Sequence, residues 1–153
     1  MAVAESLTGG LLSAALTSPA GASTTFRGGL VVYATDLKAM LADVPQALLD
    51  AQGPVSADVA AALARGARLR LGADLGVGIT GVAGPDPVGE YPAGTVYLAV
   101  AGDGAGEVSR ADLTGSRAEI REAAVTAALN LLAAVVGMPR QAGIPGSSAG
   151  VTP

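Results

Sequence analysis

The sequence contains no histidine, no cysteine and no tryptophan, and only one lysine, Lys38. Without histidine or cysteine there is no Ser-His-Asp triad, no thiol nucleophile, no zinc site of the common kinds and no disulfide framework. A serine nucleophile would have to use another base. The eight arginines stay protonated, so that base comes from Lys38, a tyrosine or a carboxylate. With one phenylalanine and three tyrosines, stacking on bases has little to work with, and a net charge of −4 with scattered basic residues argues against nucleic acid as a primary partner. No run of eighteen apolar residues occurs and the start has Glu5 but no basic segment, which argues against a membrane span and a signal peptide and for a cytoplasmic protein.

What remains is a chain of 153 residues rich in Ala, Gly, Val and Leu, long enough for one domain with a core of small aliphatic side chains. The opening stretch, Met1 to Leu12, reads as a strand running into a helix, with Leu11, Leu12, Ala15 and Leu16 at helical spacing. Ser6 falls on the turn between them. Its hydroxyl and the first N–H groups of the helix suit a phosphate or an oxyanion; an ordinary N-cap suits the same placement. Residues 18–25 form a loop, and Leu30-Val31-Val32-Tyr33 is continuously apolar, as in an interior strand. Helices are predicted over 36–41, over 46–52 after Pro45, and after Ser56 up to Gly72, where Arg65, Arg68 and Arg70 suit the negative helix end or simply a solvated face. Strands are predicted over 74–80, 95–101 and 107–113. Ser116 and Glu119 have capping-box spacing and open a helix through Val136, with Ile120, Ala124, Ala127, Leu131 and Val135 on one stripe. The expected architecture is an α/β domain over residues 1–138 with a mixed sheet flanked by helices, followed by a flexible tail at 139–153, where turn formers leave almost nothing to bury.

Gly76-Val77-Gly78-Ile79-Thr80-Gly81 matches G-x-G-x-x-G by letter, yet its glycines lie inside a strand and lead to Gly84-Pro85-Asp86-Pro87, not to a helix, so it fails as a dinucleotide fingerprint. The segment instead ends a strand in a flexible loop. Ser6 and Thr80 would both lie in the crevice beyond the carboxyl ends of the strands, where open α/β sheets bind ligands. Arg117 falls in the first turn of the last helix, against the dipole, which suits a phosphate held with the backbone of residues 115–118; a solvent-facing side chain is the alternative. Asp86 and Glu90 are two carboxylates in one loop but make a poor case for a hard metal.

Taken in order, Ala4-Glu5-Ser6-Leu7-Thr8-Gly9-Gly10, Gly21-Ala22-Ser23 to Phe26, Tyr33 with Lys38 five residues on, Gly53-Pro54-Val55-Ser56, Thr80-Gly81-Val82-Ala83-Gly84-Pro85 and Gly115-Ser116-Arg117-Ala118-Glu119-Ile120-Arg121 resemble the C-terminal domain of the competence/damage-inducible CinA family, also found alone as nicotinamide mononucleotide deamidase. The resemblance implies a three-layer α/β domain, a homo-oligomer, that needs no cofactor and hydrolyses the carboxamide of nicotinamide mononucleotide to nicotinate mononucleotide and ammonia. It also implies Ser6 as nucleophile with Tyr33 and Lys38 as its partners. Thr8, Gly9, Gly10, Thr80, Gly81 and Gly84 would line the pocket, and Arg117 would face the phosphate. The chain departs from the family pattern at Leu7, where Cys is usual, at Ala34-Thr35 in place of Ser-Asn, and at Asp86-Pro87-Val88 in place of a Gly-rich run. It also begins within the strand that a helix usually precedes, which suggests that residue 1 is not the true start.

Overall fold

The computed structural model describes residues 1–103 and 106–137 and a two-residue strand at 151–152. Strand β1 (Ala2–Glu5) runs into helix α1 (Leu11–Thr17), and a 3-10 turn (Ala22–Thr24) leads to β2 (Gly28–Val31). Three helices follow, α2 (Thr35–Ala42), α3 (Gln46–Gln52) and α4 (Ala57–Arg70), then β3 (Gly76–Gly81), β4 (Thr95–Ala101), β5 (Gly106–Asp112) and α5 (Arg117–Val135). Val151–Thr152 forms β6 on the free edge of β5; the rest of the stretch predicted as a tail lies outside the described residues. The strand order is β2-β1-β3-β4-β5-β6, with β1 parallel to both neighbours and the remaining pairs antiparallel.

Alternation along the strands builds the layers, because successive side chains leave opposite faces of a sheet. Val3, Val77, Ile79, Val96, Leu98 and Val100 face one way and meet Leu12 of α1 and the Ile120, Ala124, Ala128 and Leu131 stripe of α5. Ala2 and Ala4 face the other way, against Val59, Leu63 and Ala67 of α4 and the residues of α2 and α3 around Ala42 and Leu49. The result is the expected three-layer α/β fold with a mixed sheet. The glycine pattern of β3 has a packing reason: a Cβ at Gly78 would sit 2.2 Å from the carbonyl oxygen of Ala60, and one at Gly76 2.0 Å from that of Ala64. The backbone of α4 therefore lies directly on the strand, and α4 shares more of its surface with β3 than side chains there would permit.

The interior strand expected from the apolar run 30–33 is corrected. Among the described residues β2 is a sheet edge, paired with β1 alone, and it ends at Val31. Leu30 and Val32 turn inward, whereas Val31 is 46% and Tyr33 59% exposed. The outward positions of this edge strand are also apolar, so the run lacks the alternation that marks a half-exposed strand.

Candidate active site

Ser6 follows β1 directly, and its N–H donates to the Ile79 carbonyl of β3 (3.0 Å), so it stands where the two central parallel strands end. Lys38 comes from the first turns of α2 and is 1% exposed. Its Nζ donates to Ser6 Oγ at 3.0 Å, to the Val32 carbonyl at 2.8 Å and to the Tyr33 carbonyl at 3.2 Å. Among the described residues no carboxylate pairs with it, and burial lowers its pKa from 10.5 to about 8. The three acceptors match the three donors of an ammonium. When the amine is neutral, the two carbonyls can take only its two N–H groups, and the lone pair is left facing the Ser6 hydroxyl, the arrangement a general base needs.

Beside this pair opens a cleft of about 280 Å³, at the small end for ligand pockets. Its floor carries Ser6, Leu7 and Lys38, and its walls are Tyr33 and Thr35, Pro54 and Val55, the segment 80–88 that leaves β3, and Arg117. Thr80, 1% exposed, donates through Oγ1 to the Pro54 carbonyl (2.7 Å) and ties two of these walls together. The Arg117 guanidinium donates to the Gly84 carbonyl (2.7 Å) and to the Tyr33 hydroxyl (2.9 Å). Neither partner neutralises it, so a full positive charge stands at the cleft.

Of the residues singled out from the sequence, Ser6, Tyr33, Lys38, Thr80, Gly81, Gly84 and Arg117 meet at this cleft, and Thr8, Gly9 and Gly10 are not among its lining. The Thr8 side chain is fully buried, Gly9 packs near Arg121, and the Gly10 N–H is bound to Glu5. The reading of Ser6 as facing the N-terminus of α1 is also corrected. Gly10 is the N-cap, and the N–H groups of Gly10, Leu12 and Ser13, with the Ser13 hydroxyl, all donate to the carboxylate of Glu5, which is fully buried. The helix dipole already has its anion. At α5 the capping box forms as predicted, and Glu119 accepts the Ser116 N–H (2.7 Å), so that donor of the expected backbone cradle is taken and the Arg117 side chain remains. Tyr33 serves Lys38 through its carbonyl oxygen; its phenol reaches Arg117 instead. The sequence reading missed Glu5 as a cap and Arg121, which donates to the carbonyls of Leu7 (2.9 Å) and Thr8 (3.1 Å). The sequence signals for Arg121 were its place at the end of the Gly115–Arg121 motif and its position one helical turn after Arg117.

A mixed sheet between two helical layers, with a serine and a buried lysine joined at the carboxyl ends of its parallel strands, defines a three-layer α/β domain with a polar cleft at that pair. The profile of the CinA C-terminal domain matches residues 1–136, and the chain belongs to that family. A CinA-like protein of Frankia casuarinae is 48% identical over 140 residues, 91% of this chain and 32% of the relative. A CinA-like protein of Anaeromyxobacter dehalogenans is 50% identical over 133 residues, 86% of this chain and 33% of the relative. The chain thus spans about a third of the length of these curated relatives. Among solved structures, the competence/damage inducible protein CihA from Agrobacterium tumefaciens aligns with a TM-score of 0.84 at 38% identity, over 88% of this chain and 84% of that one. A CinA superfamily protein from Escherichia coli aligns with a TM-score of 0.82 at 34% identity, over 86% of this chain and 77% of that one.

Proposed function

We propose that this domain is a cytoplasmic amidohydrolase, working as a homo-oligomer, that converts nicotinamide mononucleotide to nicotinate mononucleotide and ammonia and so returns pyridine nucleotide to NAD synthesis. The observation that carries the reading is the Ser6–Lys38 pair, buried, with no carboxylate paired to the lysine among the described residues, and open to a cleft with a guanidinium on its wall. In the reaction Ser6 Oγ attacks the carboxamide carbon while its proton passes to the neutral Nζ of Lys38. The tetrahedral oxyanion collapses, the C–N bond breaks, and Lys38 returns the proton to the departing ammonia. Water, deprotonated by the same amine, then attacks the ester of the nicotinoyl mononucleotide and frees nicotinate mononucleotide and Ser6. The substrate's own pyridinium charge lies beside Lys38 and further disfavours its protonated form. Arg117 supplies a charge-assisted partner for the 5′-phosphate.

The test is ammonia release from the purified chain with nicotinamide mononucleotide, nicotinamide riboside and free nicotinamide, repeated with Ser6→Ala. Release from the mononucleotide that disappears in Ser6→Ala while calorimetric binding persists supports the reading. Ammonia at the wild-type rate from Ser6→Ala would overturn it and move the chemistry to water activated by a carboxylate. A second reading, a domain that binds the nucleotide without turnover, draws on Thr35, which stands in the cleft where the resembled family usually carries Asn. Tight binding with no ammonia from any of the three compounds is its signature.

A further inference from the structure

Since Glu5 occupies the N-terminus of α1, the helix dipole is not free to receive an oxyanion, and the donors must lie elsewhere. Between β1 and α1 the chain makes a turn closed by the Gly9 N–H on the Ser6 carbonyl (3.1 Å). Among the described residues the two N–H groups inside this turn, of Leu7 and Thr8, have no protein acceptor. They directly follow the nucleophile. The carbonyls of the same two residues are both held by one side chain, with Arg121 Nε on Leu7 O and Nη2 on Thr8 O. A trans peptide directs its N–H opposite to its C=O, so the fork fixes the Leu7–Thr8 and Thr8–Gly9 peptides, and the Gly9 N–H on the Ser6 carbonyl passes this constraint to the Ser6–Leu7 peptide that carries the Leu7 N–H. Arg121 has no carboxylate partner among the described residues, and its charge faces the back of the turn.

The geometry points to Arg121 as a positioning residue, which holds the Ser6–Gly9 turn so that the N–H of Leu7, the one residue of the turn besides Ser6 that lines the cleft, receives the oxyanion formed on the carboxamide. It polarises the Leu7–Thr8 and Thr8–Gly9 peptides from behind, the second of which donates through the Gly9 N–H to the Ser6 carbonyl, and it stands on the same helix as Arg117, one turn further on, so the nucleophile's turn and the anion-binding arginine share a rigid support. This rests on the Ser6 acylation reading above.

The experiment compares wild type with Arg121→Lys and Arg121→Ala in ammonia release, in calorimetric affinity for nicotinate mononucleotide, and in adduct formation with 3-pyridineboronic acid, which adds to a serine hydroxyl as a tetrahedral anion. Loosening an oxyanion donor costs on the order of 100-fold in kcat. Arg121→Ala should lose about that factor in kcat and in boronate affinity while its affinity for nicotinate mononucleotide stays within about threefold; guanidinium ion added to this variant should restore part of kcat. Arg121→Lys, which keeps one donor and the charge, should fall between the two. Unchanged kcat and boronate affinity in either folded variant would overturn the proposal, as would losses of equal size in all three measurements, which indicate a purely structural role. If the wild type forms the boronate adduct yet releases no ammonia, the amide substrate is misassigned and the positioning role is decided on boronate affinity alone.

Discussion

Lys38 offers the most quantitative prediction, because in the proposed mechanism its working form is the neutral amine and burial decides how much of it exists. A lysine with a pKa of 10.5 would be neutral to about 0.03% at pH 7, whereas one at about 8 is neutral to about 10%, a gain of roughly 300-fold in available base. The base must be unprotonated in the free enzyme for Ser6 to be activated, so kcat/KM should rise about tenfold per pH step below 7.5 and level off above about 8.5. The pyridinium of bound substrate adds a positive charge beside Lys38, so the midpoint in kcat should fall below that in kcat/KM. Stability carries the same sign. Below about 8 the ammonium is held by both the folded and the unfolded chain, and the fold bears the cost of burying it. Between about 8 and 10.5 only the unfolded chain keeps the proton, so stability should rise with pH across that window, by about 3 kcal/mol in all. Rate profiles from pH 6 to 10 and denaturant titrations over the same range, for wild type and Lys38→Met, measure both. A kcat/KM that is flat from pH 6 to 8, an inflection near 10.5, or a stability rise that persists in Lys38→Met would refute the assignment.

The remaining expectations concern the walls of the cleft and the core. Arg117→Ala should weaken nicotinamide mononucleotide binding about ten- to a hundredfold, the loss of a charge-assisted contact of roughly 1.5 to 3 kcal/mol, and leave the riboside almost untouched in calorimetry. Tyr33→Phe removes the hydroxyl on Arg117 but keeps the carbonyl on Lys38, so the midpoint of the kcat/KM profile should not move, while mononucleotide affinity falls by no more than about tenfold. A shifted midpoint would return the phenol to the base. In Gly66→Ala the new Cβ would lie 1.7 Å from the carbonyl oxygen of Ala42, both on packed helices with no room to yield, so thermal unfolding should report a loss of about 3 kcal/mol or more.

The elements themselves were legible in the sequence because the interactions that set them are local. The capping box joins Ser116 to Glu119 three positions on, the Ser56 cap accepts from Val59, and the α5 stripe repeats within two turns, so each could be read without knowing its neighbours. The limit on chemistry was compositional, since a chain without histidine or cysteine leaves only Lys38, a tyrosine or a carboxylate as base for a serine. Edges and partners were not legible. That β2 is an outer strand depends on β3 having taken the other side of β1, and nothing within residues 28–33 records that choice. Glu5 read as an ordinary charge near the start, yet the turn folds α1 back so that its carboxylate meets N–H groups five to eight residues ahead. Lys38 and Ser6 are 32 residues apart, and Arg121 and Leu7 are 114 apart; the order of the strands and the packing of α2 and α5 on opposite faces bring these pairs together. Local propensity acts over about one helical turn, whereas such meetings follow from the burial of whole layers, so composition narrowed the possible bases and the family resemblance singled out Ser6 and Lys38, but only the tertiary structure decided what brings them together and holds them in place.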